Sequence, residues 1–281
     1  MGPCPARRAR RCRPACLAAL ALTLAAGLAG GVPASAQARA EPPPNLSPLW
    51  QKAVETYRAN RHWYPERAVI TSEVLNGQMK FRSFTEIFLT LRPNDRGWLS
   101  VQMDRYLRNG VDETDRMRSR IRIRSPLSTM APSEENGYSI SIAESPFDPD
   151  DQRNVSVTPC DEKRVLAGRV CRRFDFLYRH EGLEGDEDDA TVWRGAAWLD
   201  EKSGRPVELA FSVTPLPGRL RRAEIVYRYE TEWPDRWVVK DAVIRGSGGF
   251  LFIKRHFTVT TIFSQYARWP RDLAPGGPSP R

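Results

Sequence analysis

Two of the five cysteines, a row of arginines, an acidic run and three histidines are the side chains with chemistry to offer. Cys160 and Cys171 stand in two alternating stretches. In residues 155–160, Val155, Val157 and Pro159 share one face, and Ser156, Thr158 and Cys160 the other. In 170–178, Val170, Phe174, Phe176 and Tyr178 share one face, and Cys171, Arg173 and Asp175 the other. Both cysteines fall on the more polar face of strands joined by a short loop. Opposed across that hairpin they would form a disulfide, Cys160 to Cys171, stabilising by roughly 2–3 kcal/mol. In a different register they remain two free thiols. A catalytic role is not indicated, because neither CxxC spacing nor a nearby histidine supports one.

Arg116, Arg118, Arg120, Arg122 and Arg124 alternate with Met117, Ile121 and Ile123. Residues 112–118 can make a helical turn; beyond it the alternation reads as a strand, with arginines about 6.7 Å apart on one face. Arg118, Arg120, Arg122 and Arg124 are the candidates for contact with an anionic surface, such as lipid headgroups or an acidic partner. The plainer reading is a solvated face paired with acidic residues on adjacent strands. Glu181, Glu184, Asp186, Glu187, Asp188 and Asp189 form an acidic run with Gly182 and Gly185. Their spacing does not fit a calcium loop, so a hydrated hairpin loop is expected. His62, His180 and His256 have no metal-ligand spacing. No GxSxG elbow, phosphate-binding glycine loop or HExxH occurs. The reading is therefore of a protein that is not an enzyme, with no cofactor, no metal and no catalytic residue.

The elements that would position these residues begin with an export signal. Arg7, Arg8, Arg10, Arg11 and Arg13 precede an apolar stretch, Leu17 to Leu28, and then Ala34-Ser35-Ala36. This is the charge, apolar and small-x-small order of a cleaved signal peptide over residues 1–36, and it implies a periplasmic location. The apolar run falls short of the about 20 residues of a membrane span. The whole chain carries 43 basic and 34 acidic residues. Losing five arginines leaves 38 against 34, or +4, which is not the charge of a nucleic-acid binder. Of five cysteines, Cys4, Cys12 and Cys16 would leave with the signal, and the two that remain suit an oxidising compartment.

Residues 37–45 form a Pro-rich spacer. Leu46, Leu49, Trp50, Ala53, Val54 and Tyr57 then make one apolar stripe at helical spacing, behind Ser47 and Pro48 as start signals. From Ala68 onward the period changes to two. Strands are expected at 68–75, 78–84, 85–91, 99–107, 117–124, 138–143, 154–159, 169–178, 190–199, 206–213, 223–230, 237–244 and 250–263. Asn76-Gly77 and Asn109-Gly110 mark hairpin turns. Residues 270–281 are rich in Pro and Gly and read as a disordered tail. A helix of about 14 residues covers roughly 21 by 10 Å. Nine or more strands at about 4.8 Å make a sheet over about 40 Å wide. The fold class is thus mostly β: a strongly curved antiparallel sheet or unclosed β-barrel, with an N-terminal helix on its concave face. So small a helix would leave an apolar hollow.

Arg108-Asn109-Gly110-Val111-Asp112-Glu113-Thr114, Gly168-Arg169-Val170-Cys171-Arg172-Arg173-Phe174, Gly195-Ala196-Ala197-Trp198-Leu199-Asp200, Ser203-Gly204-Arg205-Pro206-Val207 and Phe257 to Tyr266 form a recognisable series. Across residues 46–269 the sequence resembles the outer-membrane lipoprotein-sorting protein (LolA-like) superfamily, in an exported branch distinct from the lipoprotein carrier itself. The resemblance implies an unclosed barrel plugged by helices, binding acyl chains or other apolar ligands in its hollow. Candidate lining residues are Leu49, Trp50, Val54, Ile87, Leu89, Phe174, Phe176, Trp198, Leu209, Phe211 and Phe263; for each, ordinary core is the competing reading. The leading function is a periplasmic carrier or sensor of lipid or lipoprotein acyl chains. The alternative is a scaffolding envelope protein that binds a partner through sheet edges or its Arg-rich strand.

Overall fold

The computed structural model describes residues 47–93, 99–123, 138–140, 145–180, 191–216, 220–230, 233, 236–250 and 253–270. The assigned signal peptide, the Pro-rich spacer, the acidic run, Arg124 and nearly all of the assigned tail lie outside them. Helix α1, Pro48–Asn60, opens the described fold and buries Trp50, Ala53 and Val54. Ser47 starts it through its backbone carbonyl, which accepts from the Gln51 N–H, and not through its hydroxyl.

Strands follow in chain order: β1 (Trp63–Asn76), β2 (Phe81–Pro93), β3 (Leu99–Arg108) and β4 (Val111–Asp112). After helix α2 (Thr114–Ile123) come β5 (Tyr138–Ile140), a 3-10 segment (Pro149–Asn154), β6 (Val155–Leu166), β7 (Arg169–His180) and β8 (Thr191–Asp200). The chain continues through β9 (Pro206–Thr214), β10 (Leu220–Tyr229), β11 (Val239–Phe250) and β12 (Ile253–Arg268). All twelve strands join one sheet in the order β4-β3-β2-β1-β12-β11-β10-β9-β8-β7-β6, with β5 paired to β3. The β1–β12 pairing welds an N-terminal meander to a C-terminal one, and the two end regions do not pair with each other. The fold is an unclosed antiparallel half-barrel.

Alternation dictates which side is buried. Ala68, Ile70 and Val74 of β1, Ile87, Leu89 and Leu91 of β2, and Phe174, Phe176 and Tyr178 of β7 all belong to one core. Gly195 lies on that concave side between its partners Phe176 and Phe211. A Cβ there would sit 2.0 Å from the Ala210 carbonyl oxygen and 2.6 Å from Phe211 Cα. The sheet coils too tightly at this point for any side chain.

The expected strands 78–84 and 85–91 are one strand, β2, which starts at Phe81 after a turn, and two further expectations are corrected. Residues 114–123 are helical, not extended, so the expected Arg-rich strand does not form. A 3.6-residue period distributes positions two apart around the axis, so Arg116 and Arg118 do not share one face as they would on a strand. Met117 packs against the core, while Arg118 donates to the Met103 and Asp104 carbonyls. Met117 and Ile121 are also i and i+4, a helical spacing that the two-residue alternation concealed.

The expected disulfide is absent: Cys160 and Cys171 are free thiols. The Ala167-Gly168 turn pairs Leu166 with Arg169, and that register places Arg164, not Cys160, opposite Cys171. A bulge between Pro159 and Lys163 then re-aims Cys160 toward Asp175, where its thiol donates at 3.3 Å. Hydrogen bonding to that carboxylate, with burial, raises the Cys160 pKa. Burial pushes the Cys171 thiol up to about 11.

Gly195→Ala should lower unfolding free energy by about 3 kcal/mol, since the clash is with backbone. Urea denaturation checks this; an unchanged midpoint would mean the sheet is not tightly coiled there.

Candidate functional site

The concave face is the largest apolar surface of the fold, and an aromatic array carpets it. Trp193 stacks on Phe211 at 4.6 Å, Tyr178 meets Trp193 edge-on at 5.3 Å, and Phe176 lies 6.4 Å from Phe211. The cover begins with Trp50 of α1, which approaches Phe147 at 4.8 Å, Phe174 at 6.0 Å and Phe176 at 6.4 Å. Trp237, just before β11, completes it. It stacks on Tyr229 at 4.2 Å and reaches Phe147 at 6.3 Å and Tyr57 at 6.5 Å.

Polar links fix this cover in place. The Trp50 indole N–H donates to Gln152 Oε1 at 3.0 Å. The Gln152 amide donates in turn to the carbonyls of Pro146 and Asp148, so this buried side chain is fully used. Asn60 Oδ1 accepts from the Trp237 N–H at 2.8 Å, and the Trp237 indole donates to the Pro206 carbonyl at 2.8 Å. The other end of α1 rests on the β8–β9 turn. Gly204 has φ +74°, and a Cβ there would lie 2.5 Å from Lys52 Cβ. Asp200 is buried and holds that turn, accepting from Ser203, Lys202 and Arg169. Burial pushes its pKa upward, but the hydrogen bonds from Ser203, Lys202 and Arg169 outweigh it and hold the carboxyl below its usual value.

Most of the sequence-assigned lining residues meet on this face. Trp50, Val54, Ile87, Leu89, Phe174, Phe176, Leu209 and Phe211 are buried in one core, and Leu49 and Phe263 pack against it. Trp198 does not join them. It lies on the opposite face with Cys171 and Val207, under the Arg164 guanidinium at 4.9 Å. Gly195 to Leu199 is apolar or small in both phases, so alternation alone could not orient Trp198. Phe147, Gln152, Trp193 and Trp237 were not among the assigned residues. Phe147 and Gln152 sit in an aperiodic Pro- and Asp-rich segment that gives no pattern to read.

The expected hollow is filled among the described residues: the lining side chains pack on one another and on the cover. An open groove of about 560 Å³ lies on the outer face instead, lined by Thr158, Arg173, Asp175, Leu177, Arg194 and Ala196, among others. Among the described residues no cluster of His, Cys, Asp and Glu could hold a metal. None of the described helices is long and apolar enough to cross a membrane.

The cover also carries a titratable rim. Asp148 caps the 3-10 segment by accepting from the Asp150 N–H at 2.9 Å. Burial, with the charges of Asp151 and Asp150, raises its carboxyl to about 6, against the opposing pull of Arg61. Asp151 accepts from the Tyr178 hydroxyl at 2.8 Å, and Arg61 stands 3.6 Å from Asp150.

No family model and no curated protein matches the sequence. Among solved structures, the chain is similar to a domain from Vibrio parahaemolyticus described as an outer membrane lipoprotein-sorting protein. Identity is 11%, coverage 78% of this chain and 91% of that one, and TM-score 0.36. A DUF1329 family protein from Desulfovibrio piger is 9% identical over 78% of this chain and 91% of its own, with TM-score 0.32. The MucA/MucB complex of Pseudomonas aeruginosa gives 8% identity, coverage of 80% and 100%, and TM-score 0.25. These likenesses are distant, and the architecture rests on the strand pairing itself. A half-barrel with a helix on its concave face is what the LolA-like resemblance in the sequence implies.

Asp148 binds its proton more tightly when folded than when unfolded, where its value is 3.8. Its contribution therefore favours the fold at low pH and is lost as pH rises through about 6. Asp148→Asn keeps a capping oxygen and removes the charge. It should raise stability at pH 8 by about 1 kcal/mol and leave stability at pH 4 unchanged. Thermal melts at the two pH values measure this; equal effects at both would refute the assignment.

Proposed function

We propose that the chain is an exported envelope protein that binds lipid or acyl chains against its concave face, as a carrier or sensor, once its own cover moves aside. The observation that carries this reading is the construction of the cover. A continuous aromatic face is shielded by one 13-residue helix, residues 145–154 and Trp237, tied together through a few hydrogen bonds. The energies are comparable. An acyl chain of about 12 methylenes gains roughly 10 kcal/mol on burial, at about 0.8 kcal/mol each. Apolar cover residues contribute about 1.5–3 kcal/mol apiece, so a ligand of that size can compete with a handful of them. The basic, apolar and small-residue order of residues 1–36 supports export.

A second reading has its own observation. Among the described residues β6, 12 residues long with Val165 67% exposed, pairs on one side only, and an extended partner segment could pair with its other side. The Arg-rich strand contributes nothing to that reading, since it is a helix.

Mass spectrometry of protein purified from its native envelope should find bound lipid. A fluorescent acyl-chain probe should bind saturably and quench tryptophan emission. Gln152→Ala, which frees the Trp50 indole, should speed binding. Lipid-free protein that shows no saturable binding, in wild type and Gln152→Ala alike, would reject the lipid reading; a crosslinked partner at β6 would favour the second.

A further inference from the structure

The end of the half-barrel where β1 turns into β2 combines exposed apolar side chains with basic ones that no carboxylate pairs among the described residues. Met79 is 60% exposed, Phe81 61% and Val111 62%. They stand on two neighbouring hairpins joined through β2 and β3. Phe84 of β2 donates to the Asn109 side chain at 2.8 Å, and Asn109 donates its N–H back to the Phe84 carbonyl at 2.8 Å. A third tip is adjacent, since Asn76 at the end of β1 pairs with Arg255 near the start of β12.

The display of Met79 is built. The Asn76 side-chain oxygen accepts from the N–H groups of both Gln78 and Lys80, and its carbonyl accepts from the Met79 N–H. This lacing holds Met79 at φ 61°, a conformation that L residues with long side chains rarely adopt. The chain thus holds a strained turn whose apolar side chain faces water.

Lys80, Arg82, Arg108, Lys254 and Arg255 surround these apolar tips. Among the described residues none of the five forms an ion pair with a carboxylate. Asp112 and Glu113, beside Val111, are already engaged by Arg105 and Arg116. Arg82 and Arg255 lie close enough to repel: burial and the Arg82 charge hold the Arg255 guanidinium below its ordinary value. Like charges gathered without counter-ions around exposed apolar side chains fit a surface that is anionic outside and apolar just beneath.

The geometry points to this end of the half-barrel as a docking surface for an anionic phospholipid bilayer, with Met79, Phe81 and Val111 entering the headgroup–acyl boundary and Lys80, Arg82, Arg108, Lys254 and Arg255 facing the phosphates. Apolar tips with a basic surround bind weakly and reversibly, and both components are needed. The surface lies outside the concave face, so its test is independent of ligand binding there.

The full chain, Met79→Ser/Phe81→Ser and Lys80→Glu/Arg82→Glu are sedimented with vesicles of phosphatidylethanolamine and phosphatidylglycerol, and with vesicles of phosphatidylcholine. All the changes are at exposed tip positions, and circular dichroism confirms folding. Wild type should partition more strongly onto the anionic vesicles, and high salt should remove that excess. Lys80→Glu/Arg82→Glu should weaken the anionic partition by at least about tenfold, from roughly fivefold per basic residue lost at such a surface. Met79→Ser/Phe81→Ser should weaken it on both vesicle types. Indistinguishable partition of the three proteins overturns the proposal. So does a change in self-association, read by analytical ultracentrifugation, that leaves vesicle binding untouched; that result assigns the tips to a protein contact.

Discussion

A sheet that curls without closing has one apolar face and no second sheet to bury it. That constraint bears first on Trp50. Its ring touches Phe147, Phe174 and Phe176, so it lies between the sheet and the crossing segment 145–154. A buried indole N–H without a partner costs about 1–3 kcal/mol, and Gln152 removes that cost. Gln152 is held only because Pro146 and Asp148 present their carbonyls to it, which fixes the path of the segment and places Phe147 under Trp237. Helix, segment and Trp237 therefore depend on one another. Loosening one leaves polar atoms of the others unpaired, so the cover is expected to open as a unit.

The sheet was legible because its physics is local. A two-residue period bounded by turn residues marks a strand wherever one side faces water, and β1, β3, β7, β9 and β12 were readable in this way, whereas β2 was divided in two. The readings that failed depended on something other than alternation. At 114–123 the arginines alternate, but Met117 packs inward and the backbone closes into a helix. At Cys160 the tight Ala167-Gly168 turn set a register that puts Arg164 opposite Cys171, and the bulge beyond it turned Cys160 toward Asp175. At Trp198 both phases were apolar, leaving the side undetermined. The helix of the cover was visible by its stripe, whereas Phe147 and Gln152 were not, because a crossing segment buries single residues without a period. Most residues of the candidate face could thus be named in advance; whether that face stood open or filled could not.

The outer face shows how the charges are distributed. Arg164 and Arg228 both reach Glu208, and Arg228 also meets Asp241. Arg172 pairs with Asp161, Arg173 with Glu162 and Asp175, and Lys163 with Glu201. Exposed pairs of this kind are each worth about 0–1 kcal/mol, so they add little stability. Their larger consequence is to cancel the charges of these particular side chains where they stand. Lys80, Arg82 and Arg255 at the tips have no such carboxylate partner among the described residues.

Antiparallel connectivity then separates two ends of the molecule. Every second connection lies at the same end, so the β8–β9 turn that seats α1 and the β10–β11 connection that carries Trp237 share one end. The β1–β2, β3–β4 and β11–β12 connections share the other. The first end is where the cover is tied down, by Asp200, Gly204 and Asn60. The second presents Met79, Phe81 and Val111 among unpaired cations. A half-barrel held to a bilayer by its cationic end would keep the tied end of its cover away from the membrane. The same sheet that forces the chain to cover its apolar face therefore also sets the ties of that cover and the cationic tips at opposite ends, and it does so through strand order alone.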